Sequence, residues 1–212
     1  MLRQEIVVQR TVSRLPLLAF LTIYITPLQA PQNHSLYTAA PNDWRAEAFP
    51  FPLSFAPEIK YRGIEELRFA PGMFVASSET YFTYTFIWWL EGRNSIDARV
   101  LERDLMIYFQ GLYRAVSKKA DKDVSSFKIE VKRDSIESVR SKDVESYKGR
   151  VEWIDPFVTE EQVRLNFKAT RWYCAELQRT AVFFRLSPRP FEHANWQTMQ
   201  TIKAGQCDMH SQ

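Results

Sequence analysis

Residues 80–90 read TYFTYTFIWWL, a run without Gly, Pro or a charged side chain. Aromatic and β-branched types dominate it, a composition suited to a pleated, half-buried surface, so the stretch is read as a central strand. Successive side chains leave a strand on opposite faces. Phe82, Tyr84, Phe86, Trp88 and Leu90 therefore share one wholly apolar or aromatic face, expected to look into the core. Tyr81, Thr83, Thr85, Ile87 and Trp89 share the other. That second face is mixed, and Tyr81, Thr83, Thr85 and Trp89 are the candidate lining of a ligand groove.

Glu91-Gly92-Arg93-Asn94 then turns the chain, and Ser95 or Asp97 caps a helix that runs to about Lys118. Leu101, Leu105, Tyr108, Leu112 and Ala115 recur at spacings of four, three, four and three, which builds one apolar stripe. The stripe requires a partner, and the aromatic sheet face just before it is the natural one. Upstream, Gly63–Phe69 reads as a strand ended by Ala70-Pro71-Gly72. Before that, residues 44–60 (WRAEAFPFPLSFAPEIK) place Pro50, Pro52 and Pro57 among Phe49, Phe51, Leu53 and Phe55. Proline fixes φ and biases its predecessor toward extended geometry, so this segment is expected to be an irregular strap that tucks its aromatics into the core. A Pro-rich docking motif is the alternative, disfavoured because large apolar residues are costly to expose.

After a solvated connection at 117–126, alternation of Phe127, Ile129 and Val131 with charged residues marks another strand. Further strands are expected over Tyr147–Ile154, from Val163 to about Cys174, and over Ala181–Leu186, before Pro188 and Pro190. Their short polar connections fit antiparallel pairing, since parallel strands need a long crossover. Trp196, Met199 and Ile202 then mark a short amphipathic helix ending near Gly205. The expected fold is α+β: a mainly antiparallel twisted sheet of about five to seven strands. One long amphipathic helix lies between strands 2 and 3, and a short C-terminal helix packs on the sheet.

At the N-terminus, Arg3, Arg10 and Arg14 precede the apolar run Leu15–Ile25, with Pro27 and then Leu28-Gln29-Ala30 behind it. This is the tripartite pattern of a signal peptide over residues 1–30, and the apolar run is too short to span a bilayer as a helix. Pro31 disfavours cleavage directly after Ala30 and leaves the cut site open, with Ala39 and Ala40 as later alternatives. Residues 31–43 read as a flexible linker, 44–208 as a single α+β domain and 209–212 as a disordered tail. The chain is thus expected to be exported, periplasmic or secreted, with no permanent membrane span after removal of the leader. The leader accounts for +2 of the formal charge of +3, three arginines against Glu5. A nearly neutral remainder lacks the net charge that favours nucleic acid, so no nucleic-acid partner is expected. With 45% hydrophobic and 25% charged residues the chain is also far from the composition of a disordered protein.

Export alters the reading of the two cysteines. In an oxidising compartment Cys174 and Cys207 are candidates for a disulfide that ties the last helix to the sheet. His34, His193 and His210 are isolated, so no metal site is expected, and no Gly-rich loop suggests a nucleotide or other cofactor. His193 reads as an exposed residue in the first turn of the last helix. Glu65, Glu66, Glu79, Glu91 and Asp155 are the carboxylates available for acid–base work, but adjacent Glu65 and Glu66 must point to opposite faces of a strand. The functional expectation is therefore a non-enzymatic module that binds a hydrophobic or aromatic small molecule, or an envelope protein. A carboxylate-based hydrolase acting on envelope or extracellular polymer, and a structural or assembly protein, are the alternatives.

Overall fold

Alternation along the aromatic strand organises the molecule. A computed structural model describes residues 35–119, 123–134, 144–205 and 207. Strand β4 (Tyr84–Glu91) lies inside a seven-stranded sheet whose order is β2 (Arg45–Phe51), β3 (Gly63–Phe69), β4, β8 (Arg179–Ser187), β7 (Gln162–Cys174), β6 (Glu145–Ile154), β5 (Lys128–Arg133). Every neighbouring pair is antiparallel. A second, two-stranded sheet pairs β1 (Tyr37–Ala39) with β9 (Lys203–Ala204). The fold is α+β, as its sequence pattern implies.

Phe86, Trp88 and Leu90 are fully buried beneath helix α1 (Ala98–Val116), together with Phe184 and Leu186 of β8. Asp97 caps α1 by accepting a hydrogen bond from the Val100 amide at 2.9 Å. The helix packs against β5 and β6, and its stripe enters the core through Leu101, Leu105 and Tyr108. Tyr108 stacks on Phe86 with ring centroids 5.7 Å apart.

The opposite face carries its own core. Ile87 and Trp89 join Ala181 and Phe183 under Trp196, Met199 and Ile202 from α2 (Ala194–Thr201) and its C-terminal edge, with Leu36 and Tyr37 alongside. Residues 36–39, read as linker from sequence, thus belong to the folded body. The leader expected over 1–30 and the tail over 209–212 lie outside the described residues. Among the described residues no helix is long and apolar enough to cross a membrane.

The placement of the long helix is corrected. It follows β4, the third strand of the main sheet, rather than a second strand, because Arg45–Phe51 is a strand and not part of an irregular strap. All seven of its residues are in register with β3, from Arg45 opposite Phe69 to Phe51 opposite Gly63. Proline lacks the N–H that an inner ladder demands, but β2 is an edge strand, where Pro50 is tolerated. The strap proper is shorter. It follows β2 and buries Leu53, Ala56 and Ile59.

Where the strap crosses α1 the two backbones nearly touch. A Cβ on Gly111 would lie 2.0 Å from the Phe55 carbonyl oxygen, so only glycine allows this crossing. Helix propensity alone favours Gly111→Ala by about 1 kcal/mol. The clash reverses the sign: Gly111→Ala is expected to lower stability by about 1–3 kcal/mol in thermal or denaturant unfolding, and a raised Tm would show that the strap yields freely.

Cys174, at the end of β7, is bonded to Cys207 beyond β9, with Cα atoms 5.8 Å apart and 33 residues of separation. The disulfide closes the C-terminal segment onto the sheet. Denaturation with and without a reductant should show a loss of roughly 3–4 kcal/mol on reduction, the chain-entropy value for a loop of that length.

Candidate functional site

The inward face of β2 and β3 is only partly covered. Arg45, Glu47 and Phe49 from β2 and Glu65, Leu67 and Phe69 from β3 lie on the face that looks toward α1, in register with one another. Beyond Tyr108 the helix stripe continues with Leu112 and Ala115, which are not buried. Between these two surfaces lies a cavity of about 790 Å³. Met73, Phe74 and Phe82 from the β3–β4 connection, Phe55 of the strap, and Trp153, Phe157 and Val158 complete its wall. Its volume is in the range of sites for small organic ligands.

Nine of the nineteen lining residues are Phe, Tyr or Trp and six more are aliphatic, so the wall is mainly apolar and rich in aromatic rings. Three charged groups interrupt it, and they are set differently. Arg45 pairs with Glu47, and its guanidinium carbon lies 5.3 Å from the ring centroids of both Phe69 and Phe74. Glu65 is fully buried. Trp88 Nε1 donates to its Oε1 at 2.9 Å, while Oε2 has no hydrogen-bond partner among the described residues. Tyr108 sits beside the carboxyl and biases its ionisation without closing a hydrogen bond to Oε2.

Burial dominates the ionisation of Glu65. Desolvation raises its pKa to about 7, against opposing contributions from Trp88 and Tyr108. The same carboxyl, with burial as the larger cause, raises the pKa of Tyr84 and Tyr108, so neither phenol ionises near neutrality.

The other carboxylates are spent. Glu66, on the opposite face, accepts from the Leu36 amide at 2.6 Å and Ser35 Oγ at 2.8 Å and pairs with Arg68. Glu79 meets Arg189 and His193, each at 3.2 Å. Glu91 faces Arg179 at 3.6 Å. Asp155 accepts from the amides of Phe157, Val158 and Thr159, the Thr159 hydroxyl and the Tyr81 hydroxyl. Burial raises its pKa, but these donors outweigh burial and leave it lowered. Asp155 therefore anchors the loop that presents Phe157 and Val158 to the cavity. Of the five carboxylates singled out from sequence, only Glu65 lines the cavity, joined there by Glu47.

The four groove candidates do not line this cavity. Tyr81 is turned to Asp155 at 2.7 Å. Thr83 shares hydrogen bonds with Ser187 and Asn195 at 3.0 Å each. Thr85 contacts the Tyr37 hydroxyl at 2.9 Å, and Trp89 is buried in the second core. The face that Thr83, Thr85 and Trp89 occupy is roofed by α2 and the small sheet, whereas Tyr81, ahead of β4, packs against the first core beside Phe82. His193 caps α2 by accepting from the Asn195 amide, and His34 and His210 lie outside the described residues. Among the described residues no three His, Cys, Asp or Glu side chains gather in a metal-binding group.

Comparison with known proteins finds no matching family model, no matching curated protein and no matching solved structure. The fold and cavity thus define the class: an α+β protein with a ligand-sized aromatic cavity around one buried carboxyl.

The raised pKa has a consequence for stability. A Glu that ionises near 4.5 unfolded and near 7 folded binds more protons in the folded state between those values. Stability therefore falls as pH rises from about 4.5 to 7 and is level above, a loss of about 3 kcal/mol from this group. Glu65→Gln should remove that slope: the difference in unfolding free energy between variant and wild type, measured at pH 5 and pH 8, should shift in favour of the variant at pH 8. An unchanged difference would mean that Glu65 ionises normally.

Proposed function

We propose that this chain is an exported, non-enzymatic binding module whose ligand is a small hydrophobic or aromatic molecule held between the β2–β3 wing and α1. The observation that carries the reading is the 790 Å³ cavity, walled mainly by apolar side chains, nine of them aromatic, and built around a fully buried carboxyl. Such a wall supplies affinity through apolar burial and ring packing, and a lone polar group supplies orientation. The cavity sits on the opposite face of β4 from the groove that the sequence pattern favours, but the class of ligand is the same. Export rests on the leader pattern and agrees with a disulfide between Cys174 and Cys207.

Carboxylate-based hydrolysis of a glycosidic polymer needs two carboxyl groups flanking a scissile bond, one as acid and one as base or nucleophile. Glu47 and Glu65 are the two that share the cavity, but Glu47 is already paired with Arg45. That arrangement favours binding over catalysis.

Native mass spectrometry of the protein purified from its own compartment should show a retained small molecule. In solution, the neutral probe N-phenyl-1-naphthylamine should gain fluorescence on binding, and Leu112→Trp, which fills the cavity from the helix side, should weaken that binding by about tenfold, some 1.4 kcal/mol. Circular dichroism checks that the variant is folded. A wild-type protein that carries no added mass and leaves the probe dark is not a hydrophobic binder.

A further inference from the structure

Resting on the binding reading of this cavity, we propose that its ligand is a lipophilic cation: an alkyl or aryl body ending in an ammonium group that lies against Glu65. Glu65 lacks a full set of partners. It is fully buried, one of its oxygens accepts no hydrogen bond among the described residues although the Tyr108 hydroxyl stands beside the carboxyl, and burial, Trp88 and Tyr108, none of them a cation, set its ionisation. An ionised carboxylate in such a place is short of both donors and counter-charge. A ligand ammonium supplies both, because its N–H groups reach Oε2 and its charge replaces the missing partner.

The walls point the same way. Aromatic faces attract cations through their quadrupoles, and rings around a carboxylate are the chemistry that holds ammonium ligands. This cavity already demonstrates the attraction, since the guanidinium of Arg45 rests 5.3 Å from the ring centroids of both Phe69 and Phe74 at its β2 side. Of the charged groups that line the cavity, Arg45 and Glu47 neutralise each other, which leaves Glu65 as the unbalanced charge. A carboxylate ligand would meet that charge unfavourably, and a neutral one would leave it unpaired.

The groups that face Glu65 set how binding responds to pH. Tyr84 and Trp88 approach it from β4 and Tyr108 from α1, and burial keeps both phenols neutral. Across the sheet on β2 stands Glu47, held by Arg45. One turn before Tyr108, Asp104 is engaged by Tyr61 and Arg103. Ionisation of Glu65 itself, near pH 7, is thus the event that governs recognition of the cation. Affinity for an ammonium is expected to rise from pH 5.5 to pH 8, whereas affinity for a neutral ligand is not.

Three probes with one tail test this on the full protein: dodecylammonium, dodecanol and dodecanoate, titrated below their micelle concentrations by calorimetry. At pH 8 dodecylammonium should bind at least about tenfold more tightly than dodecanol, the value of a charge-assisted hydrogen bond, with dodecanoate weakest. That margin should shrink to within about threefold in Glu65→Gln, as the value of the charge is lost. It should shrink in the same way for the wild type at pH 5.5, a comparison that stands even if the variant fails to fold. Equal binding of the three, or tighter binding of dodecanol, overturns the cationic ligand and leaves the hydrophobic cavity standing. Tightest binding of dodecanoate overturns it in favour of a head group at Arg45. No binding of any probe removes the binding reading as well.

Discussion

Seven strands side by side span about 29 Å, whereas one helix with its side chains is about 10 Å across. The inner strands β4 and β8 are apolar on both faces, with Phe86, Trp88 and Phe184 to one side and Ile87, Trp89 and Phe183 to the other. Water must be kept from both. On one face α2, β1 and β9 form a roof, closed by the disulfide. On the other, a single helix set against β5 and β6 cannot reach the opposite edge. The strap and the β3–β4 connection fill part of the gap, and the cavity is what they leave. Its position follows from this mismatch of widths: it lies where the helix ends and the β2–β3 wing continues.

Much of this was legible because alternation is a strict geometric rule. The split of Glu65 from Glu66 needed only the pleat, and the structure places one in the cavity and the other against Arg68. The helix stripe and the later strands were legible for similar reasons of spacing and order, whereas the Cys174–Cys207 bridge was legible only through the leader pattern and the presence of two cysteines. What sequence could not convey was coverage. Residues 84–90 show two faces, but nothing in them says which is roofed by distant segments such as Leu36 and Tyr37, and the cavity lies on the face of β4 opposite Thr85 and Trp89. The prolines misled in a related way. Pro50 argues against an inner strand, and reading it as an argument against any strand hid β2, and with β2 the inward row of Arg45, Glu47 and Phe49. One signal was available: Leu112 and Ala115 continue the helix stripe beyond the length that the core consumes.

Three buried carboxyls show that Glu65 is set apart by more than burial. Glu66 is held by Arg68, Ser35 and the Leu36 amide, and Asp155 by five donors. The chain therefore supplies full sets of partners where a carboxylate serves structure. Glu65 has one geometric hydrogen bond, from an indole. A leucine or glutamine there would avoid the desolvation of an acid, and burial without full pairing is among the more expensive arrangements a core contains. Residues that cost stability where cheaper substitutes would serve are concentrated at sites of function. The incomplete shell of Glu65, set among aromatic rings and beside an open volume, is the feature on which the proposed ligand-binding role rests.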